Sequence, residues 1–315
     1  MTLLHDAELS AAFDHAALAY DRLVAVNPGY HAHLRRSARR LGPPRGGAGL
    51  RLLDLGCGTG ASTAALLAAA PHAEIVAVDA SAGMLERAAA KSWPAGVSFV
   101  HAPVERLGEA GVTGPFDGAF AAYLFRNLTD PERALALVRS LPAPGGRIGV
   151  HEYALGGVRK VAPSARRAGP AASGAVHRKA EDRCCGWTSR TRPAPTTQGA
   201  PPVPPRGLRG RGAVPGVAGQ AGLCGHALGG RAVDRAVWTA VCKGVVLPAG
   251  RLAGDADLYR HLWRSVVEFD AAPAFGDRLR RAGFGSVRVL PMPGWQTGIA
   301  HTFVGRRAAE SGDAR

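Results

Sequence analysis

The stretch "LLDLGCGTG" (52–60) limits what this chain can fold into more than any other. An apolar run enters a turn with glycine at every second position, and the helix-forming "ASTAALLAAA" follows directly. Alternating glycines permit left-handed backbone and remove side chains where the main chain turns. Backbone amides and a helix N-terminus therefore lie open at the end of the first strand. The dinucleotide fingerprint requires Gly-x-Gly-x-x-Gly. Here the third glycine, Gly60, comes one residue early, and the acidic Asp54 precedes the turn. A pyrophosphate favours an uncharged turn, whereas a carboxylate there favours a ligand carrying a cationic group. Asp79, nineteen residues after Gly60, ends a second apolar run, placed to accept both hydrogen bonds of a ribose diol.

Around this motif, strand and helix signals alternate, which implies βαβ units and a parallel sheet. Leu9, Phe13, Ala16, Ala17, Tyr20 and Leu23 recur at helical spacing before "NPGY" (27–30) breaks the run, and a second helix with Leu34 and Leu41 follows. "LRLLDLG", "AEIVAVDAS", "VSFVHAPV", "FDGAFAAYLF" and "RIGVHEY" read as strands one to five, with "APGG" as a turn before the fifth. Beyond Gly230, "VDRAVWTAVCKGVVLPAG", "DADLYRHLWRSVVEF" and "APAFGDRLRRAGF" read as helices. "SVRVLPMPGWQTGIAHTFVGRR" reads as a hairpin turning at Pro-Gly. The expected architecture is an α/β fold with a seven-stranded, mostly parallel sheet, a C-terminal hairpin and an N-terminal helical cap.

The Asp-x-Gly-x-Gly-x-Gly motif resembles that of class I S-adenosylmethionine-dependent methyltransferases. "FDHAALAYD" (13–21), "YLFRNLTDPERAL" (123–135), "APGGRIGVHEY" (143–153) and "YRHLWRSVVEF" (259–269) resemble the ubiquinone/menaquinone C-methyltransferase family. The resemblance covers most of 10–157 and 231–305. It implies a Rossmann-like fold and S-adenosylmethionine as cofactor. By resemblance, Asp54 and the loop Gly56, Cys57, Gly58, Thr59 and Gly60 hold the aminoacyl end, and Asp79 with Ala80 holds the ribose. Met84, Val104 and Tyr123 complete the cofactor site, although a methionine on a helix is as readily plain core. Where the family reads Gly-Asp-Ala after strand three, this chain has Ala102-Pro103-Val104, and Leu124 precedes Phe125 where the family gives Phe-Gly.

Methyl transfer displaces a sulfonium, so the enzyme has mainly to align an electron-rich atom with the methyl group and exclude water. The resemblance implies C-methylation of a demethylmenaquinol-like ring. Another aromatic or polyketide acceptor is the alternative, and a third reading is a binding module without activity. In a hydroquinone, loss of a phenolic proton enriches the neighbouring carbon, so a base or a cation beside that hydroxyl assists. The catalytic candidates are Arg126, His151 and Tyr20; Asn127, Trp263 and His301 are the substrate-binding candidates. Each has a structural alternative: a core histidine at 151, packing at Tyr20, a helix cap at Asn127. Asp130 suits that cap better. Tyr20 and Asp21 would close over the cofactor, and Leu262, Trp263, Phe269 and Trp295 suit an apolar lid.

The net charge of +15 argues for nucleic acid only if it is spread over the folded surface. It is concentrated instead. Residues 158–230 hold twelve Arg/Lys against Glu181 and Asp182, with nine Pro and thirteen Gly and no Ile, Phe, Tyr or Met. Such a tract cannot bury enough apolar surface to offset its chain entropy and is expected to be disordered. It is bracketed by Ala-Leu-Gly-Gly at 154–157 and 227–230, and the chain's 35 Arg against 4 Lys indicate GC-rich coding DNA. The tract therefore reads as an insertion, duplication or compensated frameshift within one domain, whose parts are 1–157 and 231–305, with 306–315 a tail. His177, Cys184, Cys185, Cys224 and His226 do not match zinc spacing, and no metal is expected. The five cysteines form no regular framework and the N-terminus lacks a cationic leader, so a reduced, cytoplasmic protein is expected. The expected partners are a lipophilic aromatic small molecule, a peripheral membrane contact and a second copy of the chain, with no nucleic acid.

Overall fold

The computed structural model describes residues 4, 6–25, 27, 29–156, 227–252 and 254–308. The tract up to residue 226, with its cysteine and histidine constellation, and most of the predicted tail lie outside the described residues; its last four residues, expected to be disordered, instead open a helix. Two helices, α1 (Asp6–Ala25) and α2 (Tyr30–Leu41), precede the alternating part. Gly29, at φ 89°, makes the turn between them that a residue with a side chain rarely adopts.

The alternation then runs β1 (Arg51–Leu55), α3 (Ala61–Ala69), β2 (Glu74–Asp79), α4 (Ala82–Ala89), β3 (Val97–His101), β4 (Phe116–Ala122), α5 (Pro131–Ser140) and β5 (Pro142–Tyr153). After the tract come α6 (Ala227–Val241), α7 (Leu247–Leu252), α8 (Ala256–Glu268), α9 (Ala272–Arg281), β6 (Phe284–Pro291) and β7 (Ala300–Arg307). They form one seven-stranded sheet in the order β3-β2-β1-β4-β5-β7-β6, with β7 antiparallel to both neighbours. Strand order reverses between β1 and β4, and a crevice opens at the carboxyl ends of strands at such a switch point.

Successive side chains on a buried strand serve opposite faces. Leu53 therefore joins one core with Phe116, Phe125, Phe275 and Phe303, while Leu52 joins the other with Leu34, Leu41, Ile75 and Phe120. All of these are essentially inaccessible to water. Burying each contributes about 1.5–3 kcal/mol.

Four boundaries depart from the sequence reading. β4 stops at Ala122 because Tyr123 adopts φ 57°, and residues 125–127 form a 3₁₀ turn. β5 begins at Pro142 and takes in the "APGG" expected as a turn, with a register shift against β4. The helix expected across 233–250 is interrupted by a π-helical turn, Cys242–Val246. β7 also carries pairing through to Arg307, two residues into the predicted tail.

The two Ala-Leu-Gly-Gly copies adopt different structures. Ala154 and Leu155 leave β5 buried, whereas the second copy opens α6. Yet residues flanking the tract on either side meet at Gly298. The Gly156 amide donates to the Gly298 carbonyl at 3.1 Å, and a methyl group on Gly298 would collide with the Asp234 carboxylate of α6. Among the described residues no helix is long and apolar enough to cross a membrane. No group of three or more His, Cys, Asp or Glu there could hold a metal ion.

Candidate active site

A cavity of about 840 Å³ lies at the switch point. One end is walled by Gly56, Cys57, Gly58 and Thr59 after β1, by Asp79, Ala80 and Met84 around the start of α4, and by Val104 after β3. Gly56 and Gly58 take positive φ, and nothing lies within 4 Å of where a Gly58 side chain would project. The loop is held from β2: the Asp79 carboxylate accepts from the Gly58 amide at 2.7 Å and the Ser81 amide at 2.9 Å. Burial raises the Asp79 pKa above the usual carboxylate value, partly offset by these amides. Each carboxylate oxygen keeps further acceptor capacity.

Asp54 sits beneath the loop and does not line the cavity. It is fully buried, accepts from Ser62 Oγ at 2.8 Å and Thr63 Oγ1 at 2.7 Å, and so fastens the first turn of α3 to β1. Burial pushes its pKa up to about 7. Gly60 also lies off the cavity; at φ 91° it starts α3 where a side chain would strike Trp93.

Helix α1 closes this end. Asp14 accepts from Ser81 Oγ at 2.5 Å and from the Gly83 amide at 2.9 Å. Asp21 accepts from Thr59 Oγ1 at 2.5 Å and pairs with Lys91 at 2.8 Å. Tyr20, together with Phe13, faces the cavity. Acidic residues of one helix thus fasten to the glycine loop and to the start of α4.

The other end is aromatic and polar. Tyr30 stacks on Tyr123 with ring centroids 5.5 Å apart, and Tyr123 meets Tyr153 at 4.7 Å. Arg126 reaches across to Glu152 at 2.6 Å, its guanidinium 5.3 Å from the Tyr123 ring centre. Four of the chain's five tyrosines therefore gather around Arg126. The Tyr123 carbonyl accepts from both Arg126 Nη1 and Asn127 Nδ2 at 2.9 Å. Asn127 Oδ1 in turn meets His261 Nε2 at 3.1 Å, and Asp130, not Asn127, caps α5. Arg126 Nε is buried without a partner. Burial works against the Arg126 charge, but Glu152 outweighs it and holds its pKa above the usual value.

Of the catalytic and substrate-binding candidates, three are not brought into this cavity. His151 lies behind Tyr123: its Nε2 meets the Tyr123 hydroxyl at 2.9 Å and its Nδ1 meets Ser37 Oγ at 2.9 Å. Burial takes its pKa down to about 3, so it is neutral. His301 is buried in β7, with its pKa lowered to about 4 mainly by burial. Trp263 packs toward α6, its indole reaching Thr239 Oγ1 at 3.4 Å. The expected apolar lid is likewise elsewhere: Leu262 packs on the α1 cluster, Phe269 against Phe275, and Trp295 is 45% exposed. Helix α1 takes the lid's place.

Sequence reasoning missed Tyr30 and Glu152. Tyr30 was visible only as part of a turn, and Glu152 as one residue of a strand. The scarcity of tyrosine in the chain was the available signal.

The family profile described as "Methyltransferase domain" matches residues 52–146. That match takes in the glycine loop and runs from β1 into β5. The chain is 37% identical over 151 residues to the demethylmenaquinone methyltransferase of Clavibacter sepedonicus, covering 46% of this chain and 58% of the relative. It is 34% identical over 141 residues to that of Chlamydia pneumoniae, covering 44% and 59%. The chain thus spans less than two thirds of the length of either relative. A solved SAM-dependent methyltransferase of Thermotoga maritima shares the fold, with a TM-score of 0.52 at 15% identity over 95% of this chain and 99% of that one.

Proposed function

We propose that this protein transfers the methyl group of S-adenosylmethionine to a carbon of an electron-rich aromatic ring, and that the acceptor is a demethylmenaquinol-like hydroquinone. One observation carries the reading: a single cavity runs from the Gly56–Thr59 loop and Asp79 to a wall of tyrosines around Arg126. The relatives' names support the choice of acceptor.

The residues at the loop end fit the cofactor. Asp79 offers acceptors to two ribose hydroxyls, while the open space at Gly58 lets the aminoacyl end approach the main chain. Met84 and Val104 supply an apolar wall for adenine. The bound cofactor supplies an activated methyl group, so what remains is placement and electron density.

At the acceptor end, Tyr20, Tyr30 and Tyr123 form flat walls suited to a ring. Arg126 lines the cavity, and its positive charge stabilises an acceptor oxygen as negative charge develops there. Asn127, fixed by the Tyr123 carbonyl and His261, orients the same edge. His151 contributes through Tyr123, which it anchors, and does not touch the ring. Helix α1 excludes water.

Quinone profiling of a strain lacking the gene tests the acceptor. Accumulation of the demethylated quinone, reversed by complementation, is expected. An unchanged profile removes the menaquinol reading in favour of another aromatic acceptor.

A further inference from the structure

Two long segments of this chain contain no acidic residue: the 32 positions between Asp21 and Asp54, and the 32 between Asp277 and Glu310. The fold lays them against each other. Arg40 of α2 donates to the carbonyls of Leu290 and Pro291 at 3.0 Å each, and to Thr302 Oγ1 at 2.9 Å. His33 meets Gln296 Oε1 at 2.9 Å, so the loop between β6 and β7 sits on the first turns of α2.

The inward face of α2 is Tyr30, His33, Leu34, Ser37, Ala38 and Leu41; its outward face carries Arg35, Arg36 and Arg39. Arg288 of β6 stands beside them. The charges of Arg36 and Arg288 add to burial in lowering the Arg40 pKa to about 10. Among the described residues, Arg35, Arg36, Arg39 and Arg288 have no carboxylate partner. Arg51, Arg264 and Arg278, by contrast, each reach a carboxylate: Glu74, Glu268, and Asp270 with Glu132. Clustered guanidiniums with no counter-charge repel one another, which destabilises the isolated fold and is relieved by an external anion.

Trp295 projects from the same loop, next to the Gln296 that His33 holds, and is 45% exposed. Tyr153 at the end of β5 pairs with Ala300 at the start of β7. This loop therefore lies at the carboxyl edge of the sheet, where the cavity opens.

We propose that the face formed by Arg35, Arg36, Arg39, Arg40, Arg288 and Trp295 docks on an anionic phospholipid surface, with Trp295 entering the headgroup layer. Arginines neutralise lipid phosphates, and a half-exposed tryptophan beside them matches the interfacial preference of that side chain. Single-stranded nucleic acid needs successive aromatic platforms, and this face has one. The assignment stands whatever ring the enzyme methylates.

Vesicle flotation of the full chain tests it, comparing phosphatidylcholine with phosphatidylcholine containing phosphatidylglycerol. The wild type floats only with the anionic vesicles, and high salt releases it. R36E/R39E/R288E loses this partitioning by about a hundredfold or more, while S-adenosylmethionine binding is unchanged. Trp295→Ala weakens it severalfold at equal salt. The proposal is overturned if the wild type does not float. It also falls if the triple variant floats as well as the wild type, since the charge then resides elsewhere in the chain. Displacement of the wild type, but not of the triple variant's residual binding, by DNA at low concentration would reassign the face to nucleic acid.

Discussion

Arg126 donates to Glu152 Oε1 at 2.6 Å, from the turn after β4 to the end of β5, with both side chains buried. A buried ion pair adds little over an apolar pair, but removing one partner leaves a bare charge. Glu152→Ala should therefore cost about 3–5 kcal/mol of stability, read from the urea midpoint at constant m-value. A loss below about 1 kcal/mol would mean that water already reaches the guanidinium.

Asp79 is aligned by two backbone amides and faces the cavity. Asp79→Ala removes both acceptors offered to the ribose and should weaken S-adenosylmethionine binding by at least roughly tenfold, measured by calorimetry. Unchanged affinity would place the cofactor elsewhere.

Trp263 packs toward α6 and away from the cavity. Trp263→Phe should leave KM for the aromatic acceptor unchanged, whereas Tyr30→Ala should raise it. The opposite pattern in steady-state kinetics would move the acceptor site to the face of α8.

The β1–β5 framework and the cofactor loop were legible because they depend on local pattern: alternation of apolar runs, and glycines that only a tight turn requires. The aromatic end of the cavity was legible only in part. Arg126 and Asn127 stand in a recognisable motif, but Tyr30, Glu152 and His261 come from three distant segments, and no periodicity links them. His151 and His301 do not reach the cavity as expected, because strand alternation fixes only which face of the sheet a residue serves. Whether that face is roofed by a helix is a tertiary fact. In the structure α2 covers His151 through Ser37.

His151 has a folded pKa of about 3 against an ordinary value of 6.5. Between these limits the unfolded chain binds a proton that the native protein refuses, so stability present above pH 6.5 is lost as pH falls. The slope from this group approaches about 1.4 kcal/mol per pH unit. Asp54, raised to about 7, works in the opposite sense: its folded form holds the proton longer, so its contribution falls as pH rises toward 7. His151→Gln should melt lower at neutral pH yet lose less stability between pH 6.5 and 5 than the wild type. Parallel melting curves would show that His151 is solvated.

Gly156 and Asp234 converge on Gly298, although seventy-seven positions separate them in sequence. We propose that the 158–230 tract is an excursion from one domain. A chain joined from Gly157 to Arg231 should then keep its melting temperature within a few degrees and bind S-adenosylmethionine normally. Failure of the shortened chain to fold would give the tract a structural role.

The most direct test of a cofactor and an aromatic ring sharing one cavity is methyl transfer itself. The purified full chain is incubated with S-adenosylmethionine carrying a ¹³C methyl group and with reduced demethylmenaquinone, and the product is read by mass and NMR. The account predicts one labelled methyl group on a ring carbon, with the label abolished in Asp79→Ala and strongly reduced in Arg126→Ala. Calorimetric binding of S-adenosylmethionine with no labelled product from the quinol would contradict the acceptor assignment, and no binding of S-adenosylmethionine by the folded protein would contradict the account as a whole.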